Sequence, residues 1–289
     1  MPAEEKIIRS LVKTAVECYA SGFSDRHLSA LDDPDGTINM KIHNVFIAAL
    51  GPEIQYYTAL CRSLDSSLGN MLEKLAVNIA EQSYSVSKNV EGKLFEEQTQ
   101  IIATLLESYK SHRKTPTVQD YQTLRSNTFR KSAEKRHDSD YYLVDKDTNE
   151  HILIELKIGG DLDNKKSRSE KEAVLEQFAI LSNNLPQGTP IKIYFATAYN
   201  RFGEDKPWNQ SRVKQFFADE ELLIGKDFWN LICKSSNGYE IVRSTLQASM
   251  RQFIKEYRIE EEFRYSARNY QHVWYKVYQI IIGQSYDKG

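Results

Sequence analysis

The sequence has only three cysteines, Cys18, Cys61 and Cys233, and they lie far apart without a Cys-x-x-Cys pair. This spacing argues against a disulfide framework and a thiolate zinc site, and it favours a reducing compartment. Long apolar runs are also absent, since stretches such as residues 45–50 are far too short to cross a bilayer. The first six residues include acids where a signal peptide would have apolar residues. We therefore expect a soluble cytoplasmic protein without a membrane partner.

An excess of charge of either sign is lacking too, because 38 Lys and Arg residues face 40 Asp and Glu residues. No overall positive field therefore indicates a nucleic-acid partner. The charge is unevenly spread, however: residues 110–136 contain eight Lys or Arg and two acids, a local net charge of +6. A concentrated positive segment is typical of a phosphate-facing surface, and a solvated loop explains it equally well.

Hydrophobic residues make up 40% of the 289-residue chain, which is typical of a globular protein with a sizeable core. We expect one mixed α/β domain over residues 1–289, with a core at about 65–200, a helical N-terminal segment at 1–64 and a C-terminal extension at 201–289. Apolar residues at helical spacing predict helices over about residues 7–20, 65–82, 94–109, 169–183 and 244–257. β-branched and aromatic runs predict strands at 141–144, 151–157 and 190–196.

The first two predicted strands form a hairpin around a turn at residues 145–149, and acids flank it. Asp138 and Asp140 precede the hairpin, and Glu155 and Lys157 end it. Because alternate residues of a strand share a face, Glu155 and Lys157 point the same way while Ile154 and Leu156 point into the core. Two carboxylates meeting a lysine suit Mg²⁺ and the hydrolysis of a phosphodiester. The sequence therefore predicts a metal site made by Asp140 and Glu155.

A Glu-x-Lys motif on a strand is weak evidence for a catalytic site by itself, since exposed strands often alternate charges. The acids ahead of the hairpin, the apolar strand and the basic segment before it together resemble the PD-(D/E)xK nuclease core. That resemblance implies a restriction-endonuclease-like α/β fold, a mixed central β-sheet flanked by helices. Ser139 stands where the pattern has proline, which leaves Asp138 or Asp140 as the ligand. We favour Asp140 because the apolar strand follows it directly, with Asp138 as a supporting acid.

A longer segment, residues 155–178, is similar to the TdeIII-type family of type II restriction endonucleases, and the similarity covers about residues 65–200. Membership would imply cleavage of double-stranded DNA with Mg²⁺, for which Mn²⁺ can substitute, at a short palindrome such as GGNCC. It would also imply a prokaryotic cytoplasm and a cognate DNA methyltransferase that protects the same site. A palindromic target cut on both strands implies a homodimer, whose two-fold symmetry matches that of the DNA.

Two further residues have a supporting role in this interpretation. Glu73 lies on a predicted helix one turn after Gly69, and an acid from such a helix often approaches the metal in nucleases of this core. An ordinary solvated glutamate is the alternative. Gln177 resembles a glutamine that some of these nucleases use near the site, and a capping or surface glutamine is the alternative.

Basic residues around the hairpin are the candidates for contacts with DNA phosphates, which give affinity without sequence information. One group follows the glycine-rich turn after Lys157, and the other belongs to the positive segment before the hairpin. The solvated start of a helix is the alternative for the first group, and a solvated loop for the second. The candidates are Lys165, Lys166, Arg168, Arg130, Lys131 and Arg136.

The sequence thus favours an endonuclease in which Asp140 and Glu155 hold the cation, Lys157 acts on the attacking water and Glu73 assists. The products would be a 5′-phosphate and a 3′-hydroxyl, as is usual for this nuclease core. A non-specific or repair nuclease with the same core is the first alternative. The second is a non-catalytic DNA-binding protein in which these residues form a surface ion network.

Overall fold

The structure is a computed structural model, and it describes residues 5–33, 35, 43–49, 52–125, 132–159 and 162–256. The described residues form two compact units. We call residues 76–239 the sheet unit, and residues 5–75 with 240–256 the helical unit. The single-domain organisation stays a prediction.

The sheet unit contains both helices and strands, and the helical unit contains no strand among its described residues. Among all the residues that the structure describes, no helix is long and apolar enough to span a membrane. The helices are α1 (Glu5–Asp32), α2 (Val45–Ala48), α3 (Pro52–Ala80), α4 (Glu96–Lys110), α5 (Asn164–Asn184), α6 (Ser211–Lys214), α7 (Lys226–Ile232) and α8 (Gly238–Glu256). The strands are β1 (Tyr84–Phe95), β2 (Ser132–Asp145), β3 (His151–Leu156), β4 (Ile191–Thr197) and β5 (Leu222–Ile224).

The five strands form one mixed sheet in the order β1-β2-β3-β4-β5. The pairs β1–β2 and β2–β3 are antiparallel, and β3–β4 and β4–β5 are parallel. The predicted mixed sheet flanked by helices is confirmed. β3 is the middle strand, and all six of its residues are buried, so both of its faces are covered. Ile154 and Leu156 are buried as expected, and Glu155, on the opposite face of the strand, is buried as well.

Two helices cover the two faces of the sheet. Phe178 of α5 belongs to one buried cluster with Leu153 and Phe195 of the central strands. On the other side the ring of Phe228 in α7 lies 6.2 Å from that of Tyr141 in β2. Because alternate residues share a face, Glu155 points to the same side as Leu153, the side that α5 covers. Glu155 thus lies between the sheet and α5.

The predicted hairpin is confirmed as β2 and β3 with the turn between them. The carboxylate of Asp145 accepts hydrogen bonds from the N–H groups of Asp147 and Thr148, at 2.8 and 3.0 Å. Asn149 closes the turn with a φ of +56°, a conformation that asparagine tolerates well. β2 begins at Ser132 rather than at residue 141, because it pairs along its length with β1.

The helical unit corrects two predicted helix boundaries. α1 continues through Gly22 to Asp32 instead of ending near residue 20, because one glycine costs a helix only about 1 kcal/mol. α3 begins at Pro52 rather than near residue 65. Proline suits the first turn of a helix, where its missing N–H has no partner to lose.

Candidate active site

The antiparallel pairing of β2 and β3 ends in a contact made by a side chain. Tyr141 pairs with Ile154, and the same register brings Asp140 opposite Glu155. Beyond this pair, the backbone N–H of Leu156 donates to Oδ2 of Asp140 at 2.9 Å instead of to a backbone carbonyl. The Asp140 carboxylate is therefore fixed at the end of the ladder, on the same face as Glu155.

Glu155 is 7% exposed, and its environment opposes its charge. Burial raises the pKa of Glu155 to about 8, and the negative charge of Asp140 also raises it, whereas the ammonium of Lys157 lowers it. A carboxylate that is crowded by another carboxylate away from water is destabilised as an anion. A positive charge placed between the two acids would relieve that repulsion.

The third member of the predicted cluster is Lys157, which directly follows β3. Its Nζ lies 2.5 Å from Oε1 of Glu155 and 3.3 Å from Oε1 of Glu170 on α5. Burial opposes the charge of the ammonium, but the neighbouring carboxylates outweigh it and raise the pKa of Lys157. In this arrangement Lys157 is a cation at neutral pH.

The donor set of Asp140 and Glu155 fits a hard divalent cation such as Mg²⁺. Among the residues that the structure describes, no group of three His, Cys, Asp or Glu side chains is placed to bind a metal ion. Mg²⁺ commonly takes one or two carboxylates and completes its coordination with water and substrate phosphate, so a pair suffices. The repulsion that raises the pKa of Glu155 is the second feature that fits a cation here.

Glu170 is the residue of this cluster that sequence analysis missed. It lies in the first half of α5, where the sequence Ser169-Glu170-Lys171-Glu172 is rich in charge. Nothing in the sequence separates Glu170 from Glu172, since only the packing of α5 on the sheet decides which carboxylate reaches Lys157. The helix begins at Asn164, where the Asp163 carboxylate accepts the N–H of Lys166 at 2.8 Å.

The other predicted catalytic and supporting residues have different environments. Gln177 lies on α5 two turns after Glu170 and is only 1% exposed, and its Oε1 has no hydrogen-bond partner among the described residues. Glu73 lies on α3 in the helical unit with an exposed side chain, and its catalytic role stays a prediction. Asp138 lies in β2 opposite Asn89 of β1, and its side chain is outside the described residues.

The predicted DNA-binding residues after the hairpin lie in the first turns of α5. Lys165 and Lys166 are exposed. Arg168 is half-buried, with its Nη2 3.8 Å from Glu107 of α4. Arg136 of β2 is exposed and forms a 3.0 Å ion pair with Glu91. Arg130 and Lys131 lie outside the described residues.

Much of the positive segment at residues 110–136 has partners within the chain. Lys114 pairs with Asp120 at 2.8 Å, and Lys135 pairs with Glu176 at 2.5 Å. Arg125 donates to the carbonyl of Thr189 and its guanidinium lies 4.9 Å from the Phe178 ring centroid. These residues hold the sheet unit together, so the local charge of +6 overstates what is available to a phosphate.

Comparison with known proteins identifies the family of the chain. No curated protein and no solved structure matches the chain. The family model for the type II restriction endonuclease HinfI matches residues 5–264, which includes the whole sheet unit. The family that matches is thus a restriction endonuclease family, but it is not the TdeIII-type family that the sequence resembles. The chain belongs to the HinfI family of type II restriction endonucleases.

Proposed function

We propose that this protein is a Mg²⁺-dependent endonuclease that cuts double-stranded DNA at a short palindrome. The observation that carries the proposal is the meeting of Asp140, Glu155 and Lys157 on one face of two paired strands. Two carboxylates and an ammonium at one place suit phosphodiester hydrolysis better than acyl or hydride transfer. Family membership supports DNA as the substrate.

In the proposed mechanism Asp140 and Glu155 would hold the divalent cation, which would supply Lewis acidity at the scissile phosphate. Lys157 orients the attacking water and stabilises the negative charge that develops on the phosphate oxygens. The raised pKa of Lys157 favours this electrostatic role over that of a base. In-line attack would leave a 5′-phosphate and a 3′-hydroxyl. Mn²⁺ would replace Mg²⁺, since both accept oxygen ligands.

The proposal is tested by incubating the purified protein with unmethylated phage DNA and Mg²⁺ and sequencing the fragment ends. Discrete fragments with a common end sequence are expected, and they would give the target and the overhang. A smear would support the alternative of a non-specific or repair nuclease. DNA binding without any product that depends on Mg²⁺ would support a non-catalytic DNA-binding protein instead.

Two matched variants at opposite ends of β3 test the assignment of the site. Glu155→Gln should abolish cutting, whereas Glu150→Gln, just before the first residue of the strand, should leave it intact. Lys157→Ala should abolish cutting while DNA binding and folding are retained. If Lys157→Ala cuts at the wild-type rate, the mechanism is wrong.

The finer parts of the proposal rest on the resemblance and on symmetry. The target GGNCC follows only from the similarity of residues 155–178 to the TdeIII-type family, so fragment ends at another palindrome would overturn it. A homodimer follows from the two-fold symmetry of a palindrome and is checked by sedimentation of the protein on DNA. A cognate methyltransferase predicts that methylation of the target protects it from cutting.

A further inference from the structure

The turn that follows β4 lies beside the candidate active site. β4 runs parallel to β3, with Ala196 in register with Leu156. The N–H of Ala198 donates to the carbonyl of Ile158 at 3.2 Å, so the pairing continues past Lys157. Next along the turn is Tyr199. A Cβ atom added to Gly159 would lie 2.8 Å from the Tyr199 hydroxyl, so the phenol stands directly against the backbone that follows Lys157.

The turn, residues 198–206, is held in place by its own hydrogen bonds. Asn200 is 8% exposed, and its backbone N–H donates to the Glu204 carboxylate at 2.7 Å. Its side chain donates to the carbonyl of Lys206 at 2.7 Å and accepts the N–H of Phe202 at 3.0 Å. A buried contact, from Trp229 Nε1 to the carbonyl of Ala198 at 2.8 Å, fixes the start of the turn. These hydrogen bonds fix the backbone of the turn, so its exposed side chains are held at defined positions.

The exposed side chains of the turn include two aromatic rings and a guanidinium, together with the carboxylate of Asp205 and the ammonium of Lys206. Tyr199 is 47% exposed and Phe202 is 37% exposed, although both are large hydrophobic residues. Arg201, between them, is exposed, with its guanidinium carbon 6.0 Å from the centroid of the Phe202 ring. The Tyr199 hydroxyl makes no hydrogen bond with any described residue. Aromatic and Arg side chains presented together are typical of surfaces that bind a partner.

The chemistry of these groups fits a nucleic-acid backbone. A guanidinium binds phosphate oxygens bidentately, and a phenol donates one hydrogen bond to a phosphate. The Tyr199 hydroxyl lies against Gly159, two residues after Lys157, so a DNA strand bound at the proposed cleavage site would pass close to the turn. We propose that the turn of residues 198–206 binds the DNA backbone beside the scissile phosphate, through Arg201 and Tyr199. The inference rests on the proposed nuclease function.

Binding of a mixed-sequence DNA duplex in EDTA, measured by fluorescence anisotropy over a range of salt concentrations, tests this contact without cleavage. Arg201→Gln should weaken binding by about tenfold and lower the slope of log K against log salt by about one. Lys192→Gln is the matched control, because it removes the same charge from an exposed lysine at the other end of β4. It should leave affinity and slope unchanged.

The position of the Tyr199 hydroxyl is tested separately. Tyr199→Phe removes the hydroxyl, and Gly159→Ala displaces it by adding a Cβ where it stands. Both should weaken DNA binding to a similar extent without changing the salt slope, and the double variant should be no worse than either single variant. Unchanged thermal unfolding of each variant would show that the turn still folds.

The outcomes separate the two proposals. If the wild-type protein binds and cuts DNA but Arg201→Gln behaves like Lys192→Gln, the turn does not contact DNA and this inference is overturned while the nuclease proposal stands. If the wild-type protein neither binds nor cuts DNA, the nuclease proposal and the inference about the turn are both wrong.

Discussion

The ammonium of Lys157 lies 3.3 Å from a carboxylate oxygen of Glu170, a residue on α5 rather than on the hairpin that carries the cluster. Lys157 also touches Glu155, which is one of the two proposed cation ligands. A cation that takes the oxygens of Glu155 competes with Lys157 for them. Glu170 then remains as the partner that keeps the ammonium beside the scissile phosphate.

Replacing Glu170 with glutamine should therefore slow cleavage. The amide keeps the shape of the side chain but removes the charge that helps to hold Lys157, and loss of such a partner typically costs about tenfold or more in rate. We expect a lower rate constant for DNA cleavage in single-turnover assays. DNA affinity, measured by binding in EDTA, should be unchanged. Glu172→Gln on the same helix is the control and should cut at the wild-type rate. Equal rates for the two variants would show that Glu170 has no positioning role.

Asp140 and Asp138 are expected to contribute differently to the cation site. Asp140 accepts the Leu156 N–H and raises the pKa of Glu155, so it belongs to the cluster. Asp140→Asn should abolish cutting and weaken the binding of Mg²⁺, whereas Asp138→Asn should retain a measurable rate. Titration calorimetry with Mg²⁺ and a plasmid cleavage assay check the pair. Loss of Mg²⁺ binding in Asp138→Asn alone would reverse the assignment.

The raised pKa of Glu155 predicts how cation binding depends on pH. With a pKa of about 8 in the free protein, Glu155 is mostly protonated at pH 7, and a cation must expel that proton to bind. Apparent Mg²⁺ affinity should therefore rise with pH by up to about tenfold per unit below pH 8 and level off above it. Calorimetry in two buffers of different ionisation enthalpy should show proton release at pH 7. Asp140→Asn, which removes the repulsion, should move the midpoint to lower pH.

The sequence predicts the parts of the site that depend on local pattern. The apolar run from His151 to Leu156 and the turn before it define the hairpin, and the hairpin brings Asp140 opposite Glu155. β1 was not predicted because a β-bulge between Ser87 and Asn89 and the glycine at position 92 interrupt its alternation of apolar and polar residues. Its place in the sheet comes from pairing with β2, which local pattern does not show. The role of Glu170 depends in the same way on packing, here of α5 on the sheet.

A buried amide on α5 provides the last test of the site. Gln177 is 1% exposed, and its Oε1 has no partner among the described residues, a state that costs about 1–3 kcal/mol of stability. It lies on the same face of α5 as Glu170, two turns further along. We expect Gln177→Met to raise the free energy of unfolding by about 1 kcal/mol or more and to slow cleavage.

Gln98 of α4 offers the matched control, because it is also fully buried but its amide is satisfied. Its Nε2 donates to the Leu124 carbonyl at 2.7 Å, and its Oε1 accepts the N–H of Phe95 at 3.1 Å. Gln98→Met should lower the free energy of unfolding by about 1–3 kcal/mol because it leaves these partners unpaired, and the folded fraction should cut normally. Urea unfolding and single-turnover cleavage measure both effects. If Gln177→Met becomes more stable and still cuts at the wild-type rate, Gln177 has no part in the reaction.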